Sequence, residues 1–341
     1  MTPPTSPFDL ALRAEQLGQL GRVEDAERAA REALALEPGD PRLLGTLSST
    51  MLLAERYDEG LAAAEAACAA GPQLERPHRL RALHLSMLGR HAEAVEAGYA
   101  SVTLEPEEPA AAHGYAKVLQ RAGRTADAVR VARRVVELEP DSASAHLLLA
   151  DCASDLRDRA HRDLARQEYE ATLRIDPENA AARHDLALLD ARTRRPAQAL
   201  AGLIAAGRLD PTMPEVMRTV VVVLWQLSWR LRMWLFVATL FTLGASLSSA
   251  TGARVSAGIV LVLTAALVWW TTRDLPRQTW PVVRRAVRTD RPLTVTYAAL
   301  ALCLLLYLGA LASGFGVMVT GVWVILIALG WLALGVRAFR R

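Results

Sequence analysis

The chain has 341 residues, 52% of them hydrophobic and 22% charged, a length that allows two domains. Its formal net charge of +3 is unevenly divided: residues 1–211 carry 33 acidic and 26 basic side chains, a net of −7, whereas residues 212–341 carry 3 and 13, a net of +10. Because the basic excess lies wholly in the apolar C-terminal part, the composition argues against nucleic-acid binding.

The cysteines and the first residues bear on the cellular compartment. Cys68, Cys152 and Cys303 lie far apart and form no CxxC pair, which argues against a disulfide framework and fits a reducing compartment for the N-terminal part. Residues 1–18 lack a basic segment followed by an apolar one, so no cleavable signal peptide is expected. The wealth of alanine and arginine, with Lys117 as the single lysine, suggests a bacterial genome of high GC content.

A regular spacing of prolines is the main feature of the first two thirds of the chain. Successive steps between them are 34, 34, 34, 37 and 34 residues, and a fixed period of this length indicates a helical repeat. The longer step predicts a three-residue insertion, which we place in the turn between two helices near residues 154–161. The prolines are Pro38, Pro72, Pro106, Pro140, Pro177 and Pro211.

Other positions keep the same register. Seventeen residues before the proline three units have a glycine, which can take positive φ where one helix turns into the next. Twelve before it every unit has alanine or glycine, which lets two helices approach closely, and the proline itself ends the second helix. The glycines are Gly21, Gly89 and Gly123, and the small residues are Ala26, Gly60, Ala94, Ala128, Ala165 and Ala199.

These landmarks resemble the tetratricopeptide repeat over residues 7–211, in six units. The aromatic residue of the first helix in that family is replaced here by other residues, so single units depart from the pattern. The resemblance implies helix–turn–helix units that stack into a solenoid with a concave face for partners.

Residues 215–232 follow the last repeat and contain both tryptophans and arginines. They are too short before their charges to span a bilayer comfortably. Two interpretations stay open: an interfacial helix that leads to the membrane, or the last helix that caps the solenoid.

The remaining residues, 233–341, contain four long runs without a charged side chain. A bilayer core requires about 20 apolar residues, so the runs predict four membrane spans. The sequence therefore predicts an all-α protein, with a tetratricopeptide-like α-solenoid in residues 1–214 and a four-helix transmembrane domain after it. The predicted spans are 233–249, 255–272, 293–312 and 317–336.

Arginine placement predicts the orientation of these spans. Arginines cluster before the first span, between the second and third, and after the fourth, whereas the two other connections, SATGAR and SGFG, hold only Arg254. By the positive-inside rule every cluster lies on the cytoplasmic side. We expect a multi-pass protein of the cytoplasmic membrane, with both termini and the repeat domain in the cytoplasm.

Catalytic and transport functions find little support in the sequence. It has no HExxH, GxSxG or phosphate-binding glycine loop and no histidine–cysteine pair at metal spacing, so we expect no enzyme, no metal and no cofactor. The predicted spans contain no Asp, Glu, Lys, Arg or His, the residues that usually mark an ion pathway.

The resemblance also implies where a partner would bind. In this family positions 2, 5, 9, 12 and 13 of each first helix line the concave face, and here they place basic side chains in units two to four. These residues could receive a carboxylate or an acidic segment. The family's dicarboxylate clamp is not reproduced, because Lys117 stands where the clamp has asparagine. The candidate partner-binding residues are Arg42, Arg76, Arg79, His113, Lys117 and Arg121.

Two functions follow from this reading. The first is a non-catalytic, membrane-anchored scaffold or assembly factor that binds a protein partner through the concave face. The alternative is a membrane sensor or transport accessory, whose spans recognise a lipid, small molecule or membrane partner and whose solenoid relays the signal. For the basic residues themselves, an ordinary solvated surface is the competing interpretation. The sequence leaves the partner and the oligomeric state unspecified.

Overall fold

In a computed structural model of the protein, described for residues 6–193, 195–209, 214–273, 279–314 and 317–339, every regular element is an α-helix. Seventeen helices and no strand occur within these ranges. The predicted all-α fold is confirmed. Packing divides the chain into two compact units, residues 1–177 and 178–341.

Unit 1 consists of five antiparallel helix pairs. Each helix packs against its partner and against the next pair, and the first helices of successive pairs also contact one another, so they form one common face. This is the stacking that a solenoid requires. The helices are α1 (Pro7–Gln19), α2 (Val23–Leu36), α3 (Pro41–Leu53), α4 (Tyr57–Ala70), α5 (Glu75–Met87), α6 (His91–Leu104), α7 (Pro109–Arg121), α8 (Thr125–Leu138), α9 (Ala143–Ser154) and α10 (Arg159–Ile175).

The turn inside a pair requires a left-handed residue. Gly21, Gly89 and Gly123 have φ of 72°, 77° and 73° there, as their register predicts. In the second pair the same position is Glu55, with φ of 58°. A side chain in this conformation costs about 1–2 kcal/mol, so Glu55 is a strained position that glycine would relieve.

The small residue twelve positions before each proline lies where two helices meet. Ala94, Ala128 and Ala165 are completely buried. Gly60 takes this position in the second pair because the ring of His84 fills the space: a Cβ on Gly60 would lie 2.0 Å from His84 Cε1. The buried ring is held by Ser48, whose Oγ lies 3.0 Å from His84 Nε2, and burial lowers the pKa of this histidine.

A repeated ion pair marks the start of the second helices. An arginine at the N-cap of α2, α4, α6 and α8 lies next to a carboxylate three residues later, in the first turn. These pairs are largely exposed, so each contributes less than about 1 kcal/mol. They are Arg22–Asp25, Arg56–Glu59, Arg90–Glu93 and Arg124–Asp127.

The three-residue insertion of the fifth pair does not lie in the turn, and that prediction was wrong. The turn from Asp155 to Asp158 is only one residue longer than the others, whereas α10 has 17 residues against 14 in α8. Asp158 caps the helix by accepting a hydrogen bond from the His161 amide at 3.0 Å. The added residues therefore extend the helix at its N-terminus, where each new residue gains a backbone hydrogen bond.

Unit 2 joins the sixth helix pair to the apolar helices. The pair packs against α13, α15 and α16 through a core that includes Leu200, Leu203, Val220, Val223 and Ala286. By sequence this pair is the last repeat, yet by packing it belongs to unit 2. The helices are α11 (Ala180–Arg192), α12 (Pro196–Leu209), α13 (Pro214–Ser248), α14 (Ala250–Thr272), α15 (Thr279–Thr289), α16 (Arg291–Ser313) and α17 (Val317–Phe339).

Residues 215–232 and the first predicted span form one continuous helix, α13, of 35 residues. Its first half contacts α11 and α12 through Val216, Val220 and Leu224. The sequence analysis did not anticipate this continuity, because it divided the segment at the arginines.

Three helices are long and apolar enough to cross a membrane: Val216–Ser246, Ala250–Thr272 and Arg291–Ser313. A shorter apolar stretch, Val317–Gly330, covers most of the fourth predicted span, and the side chains of residues 331–336 lie outside the described part. The four helices share a core that includes Leu235, Leu300 and Val322.

Arg232 is buried just before the first predicted span, with only 6% of its surface exposed. Its Nη1 donates to the carbonyl of Leu329 at 3.1 Å, and its guanidinium lies 5.7 Å and 5.3 Å from the ring centroids of Trp225 and Trp229. Carbonyl oxygens and aromatic faces thus compensate for the water that this charge has lost.

The turn geometry predicts opposite effects of two substitutions. Gly89→Ala should lower the free energy of unfolding by about 1 kcal/mol because alanine is disfavoured at positive φ, and Glu55→Gly should raise it by up to about 1 kcal/mol. The measurement is denaturant unfolding of the full chain in mild detergent, followed by circular dichroism. Gly39→Ala is the control, since φ is not positive there and the space around it is open. A Gly89→Ala variant as stable as the control would contradict this account.

Candidate functional site

The common face of the first helices in unit 1 contains an open groove of about 550 Å³. The positions that the repeat register assigns to the concave face supply most of its lining. They come from four successive first helices, α3, α5, α7 and α9. The lining residues at these positions are Leu52, Arg79, Leu83, Ser86, Met87, Ala110, His113, Lys117, Arg121 and Ser144.

A second groove of about 500 Å³ lies on the same unit, toward its N-terminus. Arg42 and Arg76 line it, and Arg79 and Glu108 line both grooves. The six predicted residues are therefore divided between two neighbouring grooves that meet at Arg79.

Two of the predicted arginines are neutralised inside the unit. Arg76 Nη2 lies 2.6 Å from Glu15 Oε1, and Arg79 Nε lies 2.9 Å from Glu75 Oε1. Glu75 is only 4% exposed and also accepts a hydrogen bond from Ser101 at 2.6 Å. Arg79 thus compensates a buried carboxylate, so its charge is largely committed to the fold.

The other cations are differently placed. Arg42, Lys117 and Arg121 are exposed, and in the described part of the chain no carboxylate lies within 4.0 Å of their charged groups. Lys117 and Arg121 are one helical turn apart on α7, so both face the larger groove. These two side chains are the part of the site that is open to a ligand.

His113 contributes no positive charge to the groove at neutral pH. Burial, with the nearby charges of Lys117 and Arg79, lowers its pKa to about 4. The interpretation of this residue as one more basic group is therefore replaced by a neutral ring that can accept or donate a single hydrogen bond.

The groove also has features that the search for charge missed. Leu52, Tyr57, Leu83 and Met87 give it apolar walls, and Glu108 and Glu139 add carboxylates to its lining. The register that pointed to the arginines would have found the leucines and the methionine, because they occupy equivalent positions. Tyr57 begins a second helix, so no register rule pointed to it.

The acidic residues predicted for the fifth unit are engaged. Asp155 accepts a hydrogen bond from Gln120 at 2.8 Å, and Asp151 accepts one from the Tyr169 hydroxyl at 2.9 Å. Among the described residues no group of histidine, cysteine and acidic side chains is arranged to hold a metal ion.

Comparison with known proteins supports the repeat assignment. Two tetratricopeptide repeat models match the chain, one over residues 12–75 and one over residues 85–152. The chain thus contains tetratricopeptide repeats. No curated protein matches it.

Solved structures show the same kind of fold. The Cut9–Hcn1 hetero-tetramer of the APC/C matches with a TM-score of 0.57 and 14% identity, over 64% of this chain and 43% of that one, so the chain spans less than half the length of this relative. PilF of Pseudomonas aeruginosa matches with a TM-score of 0.48 and 20% identity, over 62% of this chain and 97% of that one. YrrB, a tetratricopeptide-repeat protein described as having an unusual peptide-binding site, matches with 0.41 and 17%, over 56% and 97%.

The environment of His113 gives a direct test of the groove's electrostatics. In an NMR titration of the full chain this histidine should titrate near pH 4, well below the ordinary 6.5. Lys117→Glu should raise the pKa, because it replaces a repelling cation with an attracting anion.

The sign for stability follows from the same shift. The unfolded chain takes up this proton first, so the stability that the neutral ring provides is complete above pH 6.5 and is lost as pH falls toward 4. A midpoint near 6.5, unchanged in the Lys117→Glu variant, would show that the ring is solvated and remote from both cations.

Proposed function

We propose that the protein is a non-catalytic scaffold or assembly factor, anchored in the cytoplasmic membrane, that binds a protein partner in the larger groove of its repeat unit. One observation carries the proposal: the groove joins two cations without described carboxylate partners, Lys117 and Arg121, to apolar walls on the face that successive first helices form.

The chemistry of the groove favours an extended peptide segment. Leu83 and Met87 on α5 offer apolar contacts, while Lys117 and Arg121 on α7 offer charge-assisted hydrogen bonds to a carboxylate. A segment with an acidic side chain beside an apolar one fits both walls. The carboxylates of Glu108 and Glu139 would disfavour a second acidic residue next to them.

The apolar helices supply the anchor. Three of them are long enough to cross a bilayer, and α17 completes the four-span arrangement. Under this proposal the first half of α13, which packs on α11 and α12, leads directly from the last repeat into the first span. The arginine clusters then lie in the cytoplasm, together with both termini and the repeats.

Charge reversal in the groove tests the binding proposal. Lys117→Glu with Arg121→Glu should reduce partner binding more than about tenfold, since a charge-assisted contact contributes about 1.5–3 kcal/mol. Binding is measured by quantitative mass spectrometry of proteins that co-purify with the full chain from its own membranes.

The matched control carries the same change of charge elsewhere. Arg133→Glu with Arg174→Glu alters exposed residues of α8 and α10 that line neither groove and have no carboxylate within 4.0 Å in the described part. Arg130 and Arg134 are less suitable, because they pair with Asp127 and Glu107. If both double variants are folded by circular dichroism and keep the wild-type set of partners, the groove is not the binding site.

The proposed topology has its own test. A reporter fused after Arg341 should be active in the cytoplasm, and a membrane-impermeant thiol reagent should label Arg284→Cys only after the cells are lysed. Ser249→Cys, in the connection between the first two spans, should react in intact spheroplasts. Labelling of Arg284→Cys from outside would overturn the four-span arrangement, whatever the groove binds.

A further inference from the structure

Unit 2 contains an apolar cavity of about 750 Å³ between α12, α13, α14, α15 and α16. Leu227, Leu267, Val283 and Tyr297 form part of its wall. Two tryptophans, Trp270 and Trp280, line it and are more than half exposed or half exposed, at 63% and 50%. Tryptophan prefers the interface between the hydrocarbon and headgroup regions of a bilayer, and the cavity lies at the ends of two proposed spans, α14 and α16.

The rim of the cavity is cationic. Arg230, Arg284 and Arg288 line it, and no carboxylate is among its described lining residues. Arg284 and Arg288 are one helical turn apart on α15 and exposed, without a carboxylate within 4.0 Å in the described ranges. Val283 and Val287 lie beside them in sequence and also line the cavity. Helix α15 therefore presents apolar and cationic groups to the same space, as helices at a membrane interface do.

We infer that this cavity binds an anionic phospholipid, with its phosphate at Arg284 and Arg288 and an acyl chain along the wall of α13, α14 and α16. The volume fits the glycerol region and the first part of a chain, since pockets for small molecules measure about 300–1,000 Å³. Basic pockets between membrane helices on the cytoplasmic side suit anionic headgroups. The inference rests on the proposed membrane anchoring, because the lipid reaches the cavity from the bilayer.

The charge pattern favours this occupant over a protein segment. Three guanidinium groups stand together at the rim, whereas the rest of the lining is apolar apart from a few hydroxyls. A phospholipid has the same division: a phosphate at one end and hydrocarbon at the other. A zwitterionic lipid carries a compensating cation beside its phosphate, so it should bind less tightly.

The test is native mass spectrometry of the full chain in detergent, titrated with dioleoylphosphatidylglycerol or dioleoylphosphatidylcholine. One phosphatidylglycerol should remain bound, in preference to phosphatidylcholine by about tenfold or more. Arg284→Gln with Arg288→Gln should remove this preference. Arg285→Gln with Arg291→Gln is the control, because both residues are exposed, lie in the same region of the chain and do not line the cavity.

Two further variants separate headgroup from chain and protect against misfolding. Arg284→Lys with Arg288→Lys keeps the charge and should retain most of the preference. Ala298→Trp fills the cavity from α16 and should reduce the binding of both lipids. Glycerol 3-phosphate should not displace the bound lipid, because it lacks the acyl chain; displacement would indicate a soluble phosphate ligand and overturn the inference.

Other results would also overturn it. These are equal retention of the two lipids, equal loss in the Arg285/Arg291 control, or a tightly bound polypeptide at this site in place of lipid. Extraction of cell membranes at alkaline pH is done in parallel. A chain that stays in the membrane but shows no lipid preference refutes the lipid site alone, whereas a chain that is released refutes the proposed anchoring.

Discussion

Close contact between neighbouring helices is the constraint on which the repeat unit depends. A single helix pair cannot bury its apolar side alone, so it must lie against the next pair, and alanine at the meeting point sets how near the helices come. Ala94 and Ala128 are fully buried there. Where a histidine, His84, fills the space, the alanine has become Gly60. The groove is a consequence of the same stacking, since successive first helices placed at this distance leave an open surface between their outward side chains.

Arginine has three physical roles in this chain, and composition alone does not separate them. At the N-caps, Arg22 and its equivalents pair with carboxylates of the first helical turn. In the interior, Arg79 compensates the buried Glu75, and Arg232 is held by a carbonyl and two tryptophans. Only the third group, to which Arg121 belongs, is exposed without a described carboxylate partner. Electrostatic recognition by this protein therefore depends on few of its many basic residues.

Much of the fold could be predicted because its signals are local and repeated. The proline period fixed the helix pairs, and the glycine register fixed the positive φ of Gly89. Two features depend on tertiary packing and escaped prediction: the lengthening of α10, and the continuity of α13 across its arginines. In the candidate site, the register located Lys117 and Arg121, but only the structure shows that Glu15 neutralises Arg76 and that the ring of His113 stays neutral. Those effects arise between residues far apart in sequence.

The central claim, a partner bound on the concave face of a membrane-held repeat unit, is tested most directly by photo-cross-linking in intact cells. A benzophenone amino acid is placed at Met87, inside the groove, or at Arg133, on the outer helix α8, and the membranes are then separated from the soluble fraction. The account predicts a discrete cross-linked protein from position 87, recovered with the membranes and absent from position 133. Cross-links of equal pattern and yield from both positions, or products found only in the soluble fraction, would contradict it.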